Sequence, residues 1–461
     1  MISKSIAERV LAEALTTGGD FAELFMEDTR QMGIMLMDGM IDSASTSRRH
    51  GAGIRVYKKL ESVYVHTFDT SEAGLMRVAR QAADAIGDGH EAKDVRLTGA
   101  VCTNIHRIEQ LPVDVDGGRK AKLLHDAYKA AKDYSPDIKQ VVSRLIGWET
   151  DVVIANSEGL FTGDKRVYTR LAVQAVASNG VENQTGFEGP GAMRGFELFE
   201  KYVDSEATAR EAARCAVTML NAEECPAGVM PVIIDNGFGG VIFHEACGHS
   251  LEATQVALGN SEFCGKLGQQ IASPIVTALD DGTMPNEWGS INIDDEGTPS
   301  TRLVLIENGI LKNYMIDRLN GRRMGMAPTG SARRQDYTYA PTSRMRNTFI
   351  APGSDENDEI IATAGDALYA KSMGGGSVNP TTGEFNFAVQ EGYLVKDGKI
   401  DRPVRGATLI GKGSEILMKI DRVGKHLKLA QGMCGSLSGS VPTNVGQPMI
   451  RVTSLTVGGR K

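Results

Sequence analysis

The stretch Phe243-His244-Glu245-Ala246-Cys247-Gly248-His249 decides how this chain is read. It sets two imidazoles and a carboxylate within six residues of a chain that holds only eight histidines. The zinc-protease pattern His-Glu-x-x-His spaces its histidines by four, on one helix face, with the glutamate beside them as base. Here the spacing is five. On a regular α-helix five residues turn through about 500°, leaving the rings about 140° apart. Both can reach one metal if the helix contains a π-turn, a local i→i+5 distortion common at functional sites. Gly248, directly before the second histidine, is expected to ease that distortion through its backbone freedom. The competing reading is a buried helix with two hydrogen-bonded histidines.

A catalytic zinc takes three protein ligands and keeps a fourth position open. Cys247 lies inside the motif, where a compact helix cannot easily aim it together with both histidines. Glu252, eight residues after His244, falls on roughly the same helical side. Cys434 sits in Gln431-Gly432-Met433-Cys434-Gly435-Ser436, a run of small residues through which a sulfur can approach a metal. On the residues alone Glu252 and Cys434 carry similar weight, with Cys264 behind them. Any of these cysteines can equally be a small buried apolar residue. His50, His66, His90, His106 and His125 are isolated and read as non-ligands.

A chain of 461 residues is expected to form two or three domains. Its 41% hydrophobic and 23% charged content is that of a soluble globular protein. A net charge of −8 without a basic run argues against direct nucleic-acid binding. The 53 glycines are spread along the chain, which points to many tight turns between strands. Six widely spaced cysteines suggest a reduced, cytoplasmic protein rather than a disulfide scaffold. Residues 1–15 read as an amphipathic helix ending at Gly18-Gly19, not as a signal peptide. No run approaches the ~18 apolar residues of a membrane helix.

The pattern predicts an α+β fold. Residues 1–221 read as an N-terminal α+β domain of two helix-plus-strand units, about 1–95 and 96–221. The first unit holds strands at 21–29 and 32–37, an Asp38-Gly39 hairpin signal, strand character over 55–68, and a helix over 71–86 with Ser71 as N-cap. The second holds helices over 118–133 and 204–221, with strands between 141 and 178 turning at 156–159. Residues 222–229 mark a boundary. Residues 222–461 read as a mostly antiparallel β domain carrying the metal-binding helix. Its strand signals are 230–235 and two hairpins, 302–317 around Asn308-Gly309 and 393–404 around Asp397-Gly398.

Further stretches carry a family resemblance: Ser250-Leu251-Glu252 after the motif, Asp294-Asp295-Glu296-Gly297-Thr298-Pro299, Ser343-Arg344-Met345-Arg346-Asn347-Thr348, Gly374-Gly375-Gly376, Gly383-Glu384-Phe385-Asn386-Phe387 and Gly432-Met433-Cys434-Gly435. With the motif they resemble the TldD/PmbA proteins, known as modulators of DNA gyrase and understood as zinc metallopeptidases. The resemblance covers essentially the whole chain. It implies that His244, His249 and Cys434 bind zinc and that Glu245 is the catalytic base, leaving Glu252 a supporting place. The PmbA (TldE) branch lacks the motif, so the chain resembles the catalytic TldD branch. The resemblance also implies pairing through the N-terminal halves, as a homodimer or with a PmbA/TldE-like paralogue, around an enclosed site for small or unfolded peptides.

In such a site a metal-activated water attacks the peptide carbonyl while Glu245 moves the proton. Arg333, Arg334, Tyr337 and Tyr339 are candidates for binding the oxyanion or the peptide, against the alternative of a solvated loop. A substrate strand adding to a free sheet edge would be recognised through its backbone. Two other classes remain open. One is a small-substrate amidohydrolase with iron, as in peptide deformylase, where two histidines and a cysteine hold the metal. The other is a non-catalytic binding or regulatory protein.

Overall fold

The computed structural model describes residues 2–379 and 381–459. Two long hairpins organise its first half. Phe21–Met37 turns at Asp38-Gly39 into Met40–Lys58, and Ile138–Asn156 turns into Leu160–Ser178. Asp38 and Gly39 both have positive φ (48° and 85°), as a tight two-residue hairpin requires. Phe21–Met37 also pairs antiparallel with Ile138–Asn156, which fuses the two helix-plus-strand units into one sheet.

The helices cover that sheet with narrow apolar stripes. Glu72–Ile86 starts at Ser71, whose hydroxyl accepts from the Gly74 N–H, and it buries Leu75, Val78, Ala79, Ala82 and Ile86. With Lys4–Ala14 it closes one core; Gly117–Lys132 and Ser205–Leu220 close a second. Two details differ from the sequence reading. Residues 21–29 and 32–37 form a single strand, because Arg30 and Gln31 are exposed yet stay in register. The strand through 40–54 gives no apolar alternation to read, since residues 40–50 are exposed on both faces. The neighbouring strand Glu61–Thr67 pairs only from Ala52 onward, leaving the edge before it free.

In the second half, Ala367–Val378, Gly228–Ile234, Ile450–Gly458, Thr408–Lys412 and Glu384–Lys396 pair in that order, and the last pairs back to the first. A six-stranded sheet runs Ile310–Leu311, Arg302–Glu307, Ala278–Asp281, Asn347–Ile350, Gly439–Gln447 and Lys428–Ser436. Lys428–Ser436 is therefore an edge strand, paired on one side only. Most pairings are antiparallel, with parallel ones at Gly228–Ile234/Ala367–Val378, Asn347–Ile350/Gly439–Gln447 and Lys399–Arg405/Glu223–Glu224. The 302–317 hairpin is shorter than its pattern suggests, its return strand being only Ile310–Leu311. The motif segment is buried in the largest apolar core.

Buried ion pairs join the halves: Arg334 to Glu23 at 2.8 Å, Arg166 to Asp295 at 2.6 Å, and Arg55 to Glu296. Among the described residues no helix is long and apolar enough to cross a membrane.

Candidate metal centre

The motif occupies an irregular helical segment. A 3₁₀ turn at Gly237–Gly240 leads through Val241–Phe243 into a π-turn at His244–Gly248. There the His249 N–H donates to the His244 carbonyl, the i→i+5 bond that the five-residue spacing demands. The bond brings the two rings together, with centroids 5.1 Å apart and planes at 84°.

The reason for Gly248 differs from expectation. Its φ of −55° and ψ of −53° are ordinary helical values, so its backbone freedom is unused. What matters is space: a Cβ there would stand 2.2 Å from the Met345 Sδ. Gly413 is constrained in the same way, since its Cβ would meet the Ala246 carbonyl oxygen at 1.9 Å. The π-turn is held by two close approaches from distant parts of the chain.

His244, His249 and Cys434 offer ligand atoms that all lie within 4.8 Å of one another. Cys434 Sγ is 3.4 Å from His249 Nε2. Donors at tetrahedral zinc distances, about 2.3 Å for sulfur and about 2.0–2.1 Å for nitrogen, stand about 3.6 Å apart, so the donor set fits that ion. His244 Nδ1 is buried without a hydrogen-bond partner, as a nitrogen lacking its ligand would be. Glu245 Oε2 lies 3.7 Å from His249 Nε2. Its side chain is 23% exposed, the most accessible carboxylate at the cluster.

A second layer of polar groups orients these side chains. His249 Nδ1 is 3.3 Å from Glu252 Oε2, which directs Nε2 toward Cys434. Glu252 thus sits behind the ring and outside the three-atom cluster. Arg344, fully buried, donates to the Cys434 carbonyl, to Ser438 Oγ at 3.0 Å and to the Gly439 carbonyl at 2.7 Å. The sequence marks Arg344 only as part of a recurrent stretch and gives no sign of its task. Burial alone would raise the Cys434 thiol, but the imidazoles of His244 and His249 outweigh it and hold the thiol well below its usual range. Burial alone would lower His249, yet the Glu252 carboxylate and Cys434 lift it well above the usual histidine range.

The other candidates lie elsewhere. Cys264 Sγ bonds the Val256 carbonyl at 3.4 Å, and Cys247 is fully buried in the core. Arg333 is buried, with Nη1 donating to the Met345 carbonyl at 2.7 Å. Arg334 is buried against Glu23 and donates to the Asp295 carbonyl. The Tyr337 ring stacks under Gly51 and edges His66, and the carbonyls of Tyr337 and Tyr339 accept from Tyr64 and Arg334. The segment holding these four residues is thereby fastened to the N-terminal sheet.

A cavity of about 740 Å³ opens between the halves and reaches the Cys434 strand as far as Met433, but none of His244, Glu245, His249 and Cys434 lines it. Arg170, Phe187 and Glu188 form one wall, and Lys371, Met373 and residues 428–433 of the Cys434 strand form the other.

The class of enzyme follows from the chain's relatives, which are metallopeptidases. Residues 227–459 match the PmbA/TldA metallopeptidase C-terminal domain, 111–220 its central domain and 22–86 its domain 1. The chain belongs to the PmbA/TldA metallopeptidase family. It is 35% identical over 456 residues to a metalloprotease TldD homologue of Haemophilus influenzae, covering 95% of this chain and 93% of that one. It is 34% identical over 245 residues to a zinc metalloprotease TldD homologue of Saccharolobus solfataricus, covering 53% of this chain and 54% of that one. Among solved structures, a protein described as a modulator of a DNA gyrase from Thermotoga maritima has the same fold, with a TM-score of 0.81 at 20% identity, covering 98% of this chain and 99% of that one. TldE from Thermococcus kodakarensis follows with a TM-score of 0.76 at 18% identity, covering 99% of each chain.

Proposed function

We propose that this chain is a zinc-dependent peptidase that hydrolyses peptide bonds in small or unfolded peptides. His244, His249 and Cys434 hold the ion and Glu245 is the general base. The observation that carries this reading is the convergence of the three ligand atoms within 4.8 Å, with the Glu245 carboxylate 3.7 Å from His249 Nε2. When bound, zinc supplies Lewis acidity at the peptide carbonyl and a water acidic enough to lose its proton near neutrality. Glu245 takes that proton and returns it to the leaving amine. Glu252 keeps the His249 ring turned toward the ion, and Arg344 fixes the backbone of Cys434. The partners of Arg333, Arg334, Tyr337 and Tyr339 support a role in anchoring their segment rather than in touching substrate.

A carboxylate 3.7 Å from a cluster of three metal-capable side chains argues against a purely regulatory protein. The exposed, half-unpaired strand at 40–50 supports pairing through the N-terminal half, with a second copy or with a TldE-like paralogue. Six unpaired cysteines support a reducing, cytoplasmic setting.

The test is metal analysis of the purified protein together with cleavage of a peptide mixture, with and without chelator. Zinc near one per chain and chelator-sensitive cleavage are expected. Glu245→Gln should keep the metal and lose roughly 10²–10⁴ in rate. Unchanged hydrolysis in that variant would refute the role of Glu245.

A further inference from the structure

The strand that delivers Cys434 is the edge of its sheet, and its side chains are mostly half-exposed. Two side chains hold its backbone just before the cysteine. Arg170 Nη2 donates to the Gln431 carbonyl at 3.1 Å, and Trp288 Nε1 donates to the Gly432 carbonyl at 2.8 Å. Arg170 belongs to the N-terminal half, on strand Leu160–Ser178, and its Nε also donates to the Gly189 carbonyl at 3.0 Å. Trp288 comes from the C-terminal half but is fully buried against N-terminal aromatics. Its ring meets Trp148 edge-on at 5.5 Å and Tyr168 edge-on at 5.3 Å, with the Arg170 guanidinium 5.6 Å from its centre. The indole is thus inserted in a box made by the other half, and its one polar group reaches back to the strand beside the cluster.

We propose that Arg170 and Trp288 are positioning residues for the metal centre, through which the N-terminal half fixes the place of Cys434. A ligand must be held to within ~0.5 Å to form a tight site, and an edge strand paired on one side does not achieve that by itself. The two accepting carbonyls sit two and three residues before the cysteine, about 7 and about 10 Å along an extended chain. Their donors restrain its approach while Arg344 restrains the Cys434 carbonyl itself. The carbonyls of residues 431 and 432 are occupied, so this stretch does not offer those two acceptors to an added substrate strand. The consequence for metal rests on the zinc reading above. The clamp on the strand does not.

Trp288→Phe removes the N–H and keeps most of the ring; Arg170→Met removes the donor, and Arg170→Lys restores a cation. In metal-free full-length protein, the first two variants should speed amide exchange in residues 428–434 about tenfold, with little change in the helices of either half. Zinc affinity, measured by competition with a chelator, should fall ten- to a hundredfold, as for other outer groups that orient ligands. Arg170→Lys should recover part of that loss. The thiolate-to-metal band of the cobalt-loaded protein should weaken in Trp288→Phe and Arg170→Met. Unchanged exchange in 428–434 overturns the clamp even if the protein binds no zinc. Faster exchange with unchanged zinc affinity overturns the positioning role while leaving the peptidase reading intact. If Arg170→Met does not fold, Trp288→Phe and Arg170→Lys decide the matter.

Discussion

The two supports of the metal centre are made rigid by different means. His244 and His249 stand on a π-turn whose neighbours Val241, Ile242, Phe243, Ala246, Cys247 and Leu251 are all buried in one apolar core. Cys434 stands on a nine-residue edge strand in which it is the only buried residue. The first support is fixed by packing, and the side chain missing from Gly248 shows how tight that packing is. The second is fixed by hydrogen bonds from Arg170, Trp288 and Arg344 to successive parts of its backbone. A close-packed turn tolerates little change of volume, whereas a strand held by polar ties tolerates volume and fails when a donor is lost.

That contrast can be broken at several points. Removing a candidate ligand from either support, by His249→Ala or Cys434→Ser, should weaken zinc roughly 10²–10⁴-fold, since each would supply about a third of a binding energy of about 10–16 kcal/mol. Titration calorimetry that found one variant near wild type would remove that residue from the ligand set. Glu252→Gln keeps the shape but weakens the acceptor behind His249, and a ten- to hundredfold loss of zinc affinity is expected. The same substitution should change the exchange of residues 428–434 less than Trp288→Phe does, because Glu252 reaches that strand only indirectly, through Arg344, 3.9 Å away.

Gly248→Ala tests the packing directly. Its Cβ meets Met345 Sδ, and overpacking of this kind should cost about 1–2 kcal/mol in denaturant unfolding. Adding Met345→Ala should return part of that loss, a coupling that a double-mutant cycle measures. If the two substitutions add independently, the contact does not constrain the turn.

The last expected effect lies away from the metal, where the halves meet. Burial pushes the Glu27 carboxyl up to about 7, with Arg49 opposing and Asp336 reinforcing the shift. Its folded value exceeds its unfolded value of 4.5, so the folded state holds the extra proton between those two pH values. The stability this contributes is complete below pH 4.5 and is lost as pH rises through about 7. A fall in unfolding free energy of roughly 1 kcal/mol per pH unit between pH 5 and pH 7 should flatten in Glu27→Gln. A slope unchanged in that variant would assign it to other groups.

The local support was the more legible one in the sequence. The spacing of His244 and His249 is enough to require a π-turn, because helix geometry allows few other ways to bring both rings to one point. The three hairpin dipeptides are equally readable, and Asp38, Asn308 and Asp397 all take positive φ before their glycines. Interactions that depend on distant partners were not readable. Gly248 was assigned its place for backbone freedom, whereas the structure gives the reason as the sulfur of Met345. The choice of Cys434 over Glu252 came from family resemblance and not from spacing. Trp288, one of only two tryptophans, drew no functional reading because its partners lie on strands of the other half. The strand at 40–54 lacked a pattern since neither face is buried along most of its length.

The His249–Cys434 contact joins positions 185 residues apart in the chain. An ion bound there closes a loop of that span, as a covalent cross-link between the same residues would. In the chain-entropy view a tie of this length restricts the unfolded chain by about 5 kcal/mol. Such an ion would be a staple as well as a reagent. Chelation should shorten the survival of the whole molecule against heat and proteolysis, even under conditions in which no substrate is present.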